Sequence, residues 1–327
     1  MNLRDLVPWW RIFFLPPRLQ GTKNTKKSMK INIYLTAFLA LVFSTALAAQ
    51  KSDPYKADFR KPAKVKGMTL VWSDEFNNTG KPDPAKWIYE NGFVRNQELQ
   101  WYQPENANCK DGLLVIEGKR EKVSNPYFSA DSRDWKTSRA FAEYTSSCIK
   151  TSGLQQWQFG RFEMRARIDT ARGSWPAFWT LGTSKPWPSC GEIDIMEFFR
   201  IKGVPIMLAN FAWGSEKRGV AKWDDLKMPL TEVVGIDKQW AKKFHLWRMD
   251  WEKDSIKLYL DNRLMNSVSV SETVNPDGFN PFLQPHYILI NQAIGANGGD
   301  PSATPSPFRY EVDWVRVYQE PPSRSDL

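Results

Sequence analysis

Between residues 69 and 319 the sequence is a succession of short apolar or alternating runs, each closed by turn residues. None keeps a helical period for long, and the runs are rich in β-branched and aromatic residues, as strands are. LLVIEGKRE (113–121), FAEYTSSCIKT (141–151), AFWTLG (177–182), PIMLANFAW (205–213), SIKLYLDNRL (255–264) and HYILINQAI (286–294) are typical. In FGRFEMRARI, Phe162, Met164 and Ala166 fall on one face, and Arg161, Glu163, Arg165 and Arg167 on the other. Turn signals such as Lys110-Asp111-Gly112 and Asp261-Asn262 separate the runs. About a dozen short strands without an internal repeat predict an all-β fold, two antiparallel sheets packed face to face as a jelly-roll sandwich. Residues 214–243, the longest gap, read as a charged surface loop with one helical turn.

The first part of the chain reads differently. Residues 1–49 hold seven basic residues against Asp5 alone, so the net charge of +9 falls to +3 without them. A mildly basic remainder does not argue for nucleic acid as a partner. Lys26, Lys27 and Lys30 precede the apolar run 31–49, which ends in Ala46-Leu47-Ala48, the pattern of a cleaved export signal with Met29 as its natural start. An uncleaved membrane anchor is the alternative. Residues 50–66 read as a linker, 67–320 as the folded domain and 321–327 as a tail. The expected product is a secreted, periplasmic or cell-surface monomer with no stable membrane association after cleavage. Export permits one disulfide among Cys109, Cys148 and Cys190, for instance Cys109 with Cys148, but three buried thiols fit equally. With only His245 and His286 in the chain, a histidine-rich metal site is excluded.

GEIDIMEF (191–198) sets Glu192, Asp194 and Glu197 inside an apolar run. Glu192 and Asp194 obey the strand period of two, and Glu197 breaks it. A β-bulge near Ile195-Met196 would shift the phase by one and bring all three acids onto one face. Like charges so close raise each other's pKa, which leaves one group a proton donor while another remains a nucleophile. Carboxyl groups about 5–5.5 Å apart support glycoside hydrolysis with retention, and about 6.5–9.5 Å supports inversion. A calcium site and a solvated charged face are the competing readings.

Just upstream, GSWPAFWTLGTSKPWPSC (173–190) holds Trp175, Trp179 and Trp187. Sugars stack their C–H faces on such rings and need polar groups at the rim. Trp175 and Trp179 share a face of an extended run; Phe178 takes the other and suits the core.

These residues, together with LVWSDEF (70–76), NQELQWY (96–102), DGLLVIEG (111–118), FHLWRMDW (244–251) and VDWVRVYQ (312–319), resemble glycoside hydrolase family 16. The E-x-D-x-x-E spacing resembles its laminarinase-like branch. The resemblance implies a concanavalin A-like sandwich with a concave substrate cleft. It implies Glu192 as nucleophile, Glu197 as general acid/base and Asp194 as the residue that tunes the nucleophile. Trp175, Trp179 and Trp187 would be sugar platforms, with Glu163, Arg165, Asn96 and Asn291 as further polysaccharide contacts. No cofactor is required for catalysis, but a structural Ca2+ is implied on the convex face, with Asp313 as its side-chain ligand. Where many laminarinases carry a His, this chain has LANFAWG, with Asn210 and Trp213 as the cleft residues instead. Ala296 stands where a second glycine is common. The expected activity is an endo-β-1,3- or mixed β-1,3/1,4-glucanase. A β-galactanase on the same fold, and a non-catalytic β-glucan-binding protein, are the alternatives.

Overall fold

The computed structural model describes residues 52–321. The export signal, the start at Met29 and the end of the tail lie outside the described residues. Among those described, seventeen strands follow in order. They are β1 (Thr69–Asp74), β2 (Ile88–Tyr89), β3 (Gln100–Tyr102), β4 (Ala107–Lys110), β5 (Leu113–Ser124) and β6 (Phe141–Ser146). Next come β7 (Cys148–Lys150), β8 (Gly160–Arg167), β9 (Ser174–Gly182), β10 (Glu192–Ile201), β11 (Val204–Gly214) and β12 (Ala221–Pro229). After a short helix α1 (Leu230–Val234) the chain adds β13 (His245–Trp251), β14 (Ser255–Leu260), β15 (Arg263–Ser269), β16 (His286–Ile294) and β17 (Phe308–Gln319).

Two sheets form the sandwich. One runs β15-β14-β13-β8-β17-β5-β6-β3, with β1 beside β17 and β4 beside β5; the other runs β12-β11-β10-β9-β16-β7-β2. The alternation seen in the sequence is what packs them. Phe162, Met164 and Ala166 of β8, with Met249 and Trp251 of β13, face Phe178 of β9, Ile193 and Phe198 of β10, and Phe211 of β11 in one buried cluster. Removing that apolar surface from water is the main driving force for joining the sheets.

Three expectations need correction. The run 141–151 is two strands, because the chain passes from one sheet to the other at Ser147 between β6 and β7. Residues 214–243 are no simple loop: they contain β12, an edge strand paired along its whole length with β11. Finally, part of the expected linker is strapped to the first sheet. Arg165 donates to the carbonyls of Asp53 (2.6 Å) and Lys56 (2.9 Å), and Phe244 N–H donates to the carbonyl of Pro54 (2.7 Å). All three cysteines are buried free thiols.

Candidate active site

The outward face of the second sheet carries the cleft. Against β11, the register of β10 shifts between Asp194 and Glu197; against β9 it shifts between Asp194 and Met196. Ile195 and Met196 both turn into the core, at 2% and 0% exposure. The extra residue brings Glu197 back to the face that holds Glu192 and Asp194. Three cross-strand rows result. Leu181, Glu192, Ala212 and Trp223 form one, Trp179, Asp194, Asn210 and Asp225 the next, and Ala177, Glu197, Leu208 and Lys227 the third. Together with Trp175, Trp187, Phe199 and Asn291, all of these but the buried Ala212 line a cavity of about 630 Å³.

Among the described residues no Lys, Arg or His side chain pairs directly with the three acids; their partners are weak donors. Trp187 Nε1 donates to Glu192 (2.5 Å), Trp175 Nε1 to Glu197 (2.8 Å), and Asn210 Nδ2 to Asp194 (3.2 Å) and Glu197 (3.3 Å). Burial, the largest cause, pushes the Glu197 carboxyl up to about 8; the Trp175 N–H opposes it, and the charges of Glu192 and Glu98 add to it. Asp194 is driven well above the carboxylate range by burial and by the charges of Glu192 and Glu197. Burial also raises Glu192, while hydrogen bonds from Asp194 and Trp187 pull it back. A Glu197 carboxyl that holds its proton towards pH 8 thus stands on one wall with Glu192, whose charged form two hydrogen bonds favour against the cost of burial. Such a pair can serve as one proton donor and one nucleophile.

The flanks hold the site rigid. Trp179 Nε1 donates to Asn291 Oδ1 (2.8 Å), and Asn291 Nδ2 donates to the hydroxyl of Tyr102 (3.0 Å). The Arg95 guanidinium lies 5.1 Å from the centre of a Trp179 ring. Asn96 and Gln97 both adopt left-handed backbone, with φ of 56° and 52°. Arg139 holds that turn by donating to the carbonyls of Gln97 (3.1 Å) and Glu98 (2.7 Å). Backbone strain of this kind persists where the surroundings fix it.

The cleft thus gathers Glu192, Asp194, Glu197, Trp175, Trp179, Trp187, Asn96, Asn210 and Asn291 from the sequence reading. Four other residues belong elsewhere. Trp213 is 3% exposed and part of the core, because on β11 it shares the inward face of Phe211 while Asn210 faces out. Glu163 and Arg165 lie on β8 of the first sheet, where their alternation marks its outer face. Asp313 accepts from Arg165 and from the Asp58 N–H (3.0 Å). A guanidinium ringed by the Asp313 carboxylate and two carbonyls takes the place a hard cation would need, so these residues do not fit calcium. Sequence reasoning missed Arg95, Glu98, Phe199, Trp223, Asp225, Lys227 and Asn297, all of which line the cavity. Glu98 was legible as an acid inside NQELQWY, but the β12 residues carry no such signal.

Comparison with known proteins agrees with this geometry. Residues 114–316 match the model of "Glycosyl hydrolases family 16". The chain is 32% identical to a β-glucanase of Rhodothermus marinus, over 90% of this chain and 96% of the relative. It is 32% identical to glucan endo-1,3-β-glucosidase A1 of Niallia circulans over 78% of its own length, but spans 38% of that longer protein. Among solved structures, it aligns with one described for endo-acting O-glycanases that members of the human gut microbiota express to initiate mucin breakdown. The TM-score is 0.72, at 33% identity, covering 80% of this chain and 94% of the other.

Proposed function

The chain belongs to glycoside hydrolase family 16, and from that premise we propose that it is an exported endo-β-glucanase that cleaves β-1,3 or mixed β-1,3/1,4 linkages with retention. The observation that carries the reading is the bulge in β10, which sets Glu192 and Glu197 on the same wall of the cleft. Glu197, protonated at neutral pH, gives its proton to the glycosidic oxygen as Glu192 attacks the anomeric carbon. The C–O bond breaks, the leaving sugar departs with the proton, and a glycosyl ester forms on Glu192. Glu197, now a carboxylate, takes a proton from water, and the hydroxide equivalent displaces Glu192. Asp194, held protonated by its neighbours, donates a hydrogen bond to Glu192 and limits the charge that accumulates there. Trp175 and Trp179 offer ring faces to the sugars, and the apolar run 31–49 supports export.

The test is a panel of β-glucans and β-galactans with product sizing, followed by NMR of the first-formed anomer. Mid-chain cleavage of a β-1,3-containing glucan with a β-anomeric first product is expected. An α-anomeric first product removes the covalent step, and inactivity on every polymer removes the reading. A keratan-sulfate endo-1,4-β-galactosidase of Sphingobacterium multivorum, 30% identical over 77% of this chain and 55% of that protein, supports a second reading, an endo-β-galactosidase. Cleavage of mucin glycans or a β-galactan in preference to β-glucan would select it.

A further inference from the structure

The cleft wall does not end at the acids. Beyond β10 it continues across β11 to β12, the sheet edge, and the three rows of acids terminate there in Trp223, Asp225 and Lys227. Adjacent strands lie about 4.8 Å apart, so this edge sits roughly 10 Å from the reacting groups, beyond the sugar rings that flank the cleaved bond. Trp223 is 44% exposed although it lines the cavity. The indole N–H groups of Trp175, Trp179 and Trp187 are each committed to a carboxylate or amide. That of Trp223 has no acceptor, and its ring no ring partner, among the described residues. An unpartnered Trp face on a cleft wall, with its N–H free, is what a stacked sugar would use. Beside it Lys227 pairs with Asp225. The pair cancels its own charge and presents both donors and acceptors to hydroxyl groups.

We propose that Trp223, Asp225 and Lys227 form a distal subsite that binds an uncharged hexose ring of the same polymer chain. The ring lies on Trp223, with its hydroxyls against the Asp225–Lys227 pair. The inference rests on the glycoside hydrolase reading and extends it: substrates long enough to reach β12 gain from the subsite, and short ones do not. The matched charge of Asp225 and Lys227 selects a neutral sugar over a sulfated or uronic one.

The experiment compares kcat/KM of wild type, Trp223→Ala, Trp223→Phe and Lys227→Met on oligosaccharides of rising length, prepared from the polysaccharide that the wild type cleaves. Trp223→Ala is expected to lose about three- to tenfold on the long oligomers. On the shortest cleavable oligomer it should stay within about twofold, and Trp223→Phe should recover most of the loss. A uniform loss at every length would assign Trp223 a structural role and overturn the subsite, as would no loss at all. A Lys227→Met loss confined to sulfated oligomers would overturn its neutral specificity. Wild-type inactivity on every polymer would instead strike the underlying reading, and this proposal with it.

Discussion

Strands β8 and β10 place charged residues at nearly the same spacing, and the two sheets treat them in opposite ways. On β8 each charge meets its counterpart. Arg161 pairs with Asp250 (2.6 Å), Arg165 with Asp313, and Arg167 with Glu311. Glu163 lies 3.8 Å from Arg161; burial raises its pKa, while Arg161, Arg248 and Arg316 pull it back. The guanidinium groups of Arg165 and Arg167 also cover Phe244, 4.7 and 4.8 Å from its ring centre. On β10 three acids share a wall with only indole and amide donors. Alternating charge is therefore not in itself a sign of chemistry. What distinguishes β10 is that its acids are left without cationic partners, so that burial raises their pKa instead of being offset by an ion pair.

The contrast breaks first at the acids. Glu192→Gln or Glu197→Gln should lower kcat by about 10³-fold or more on the best polysaccharide, since each removes one half of the proton and nucleophile exchange. Steady-state release of reducing ends measures it, and retention of near wild-type turnover by either variant would end the assignment. On the paired strand the same kind of change acts on stability. Arg165→Met leaves the buried Asp313 without its cation and unties Asp53 and Lys56, and should cost about 3 kcal/mol. Urea midpoints measure that loss, with kcat per folded molecule unchanged. A wild-type midpoint with impaired turnover would instead put Arg165 in the chemistry.

The two strands also differ in how well the sequence announces them. The bulge was legible because only a phase shift at Ile195-Met196 places Glu197 with the other acids while keeping Phe198 in the core. Glu163 and Arg165 misled because the family resemblance put them in the cleft, and alternation, which fixes only which residues share a face and not which of two sheets that face belongs to, could not correct it. Trp213 misled for a related reason: it lies near the cleft in sequence but on the inward phase of β11. The start of β9 was hidden by Pro176, which lacks the N–H a central strand needs. Strand β12 was hidden because an edge strand with one face on an open cleft has little apolar period. Only Leu226 and Met228 of its run pack on the core.

Stability as a function of pH sharpens the contrast further. The Glu197 carboxyl has a folded pKa of about 8, above its ordinary 4.5, so the native state binds this proton more tightly than the unfolded chain does. The contribution is complete below about pH 4.5 and is lost as pH rises towards 8. Glu197→Gln removes that dependence. Its melting temperature should match wild type near pH 4.5 and exceed it increasingly towards pH 8. A Tm difference that stays flat with pH would show that the carboxyl is not perturbed.

The finest test changes a single donor. The Trp175 N–H stabilises the charged form of Glu197, and its hydrogen bond is the largest influence lowering that pKa. Trp175→Phe keeps an aromatic platform but removes the donor, so Glu197 should hold its proton to higher pH. The alkaline limb of kcat/KM, set in wild type by Glu197 near pH 8, should then move upward by up to about one unit. The acid limb, set by Glu192 and the Trp187 N–H, should stay in place. A downward shift of the alkaline limb would mean that another group donates the proton, and a parallel loss at all pH values would mean that Trp175 serves only to hold the sugar. Because Trp175 and Trp187 each serve one acid, the paired variant Trp187→Phe should move the acid limb alone, which separates the two carboxyl groups without removing either.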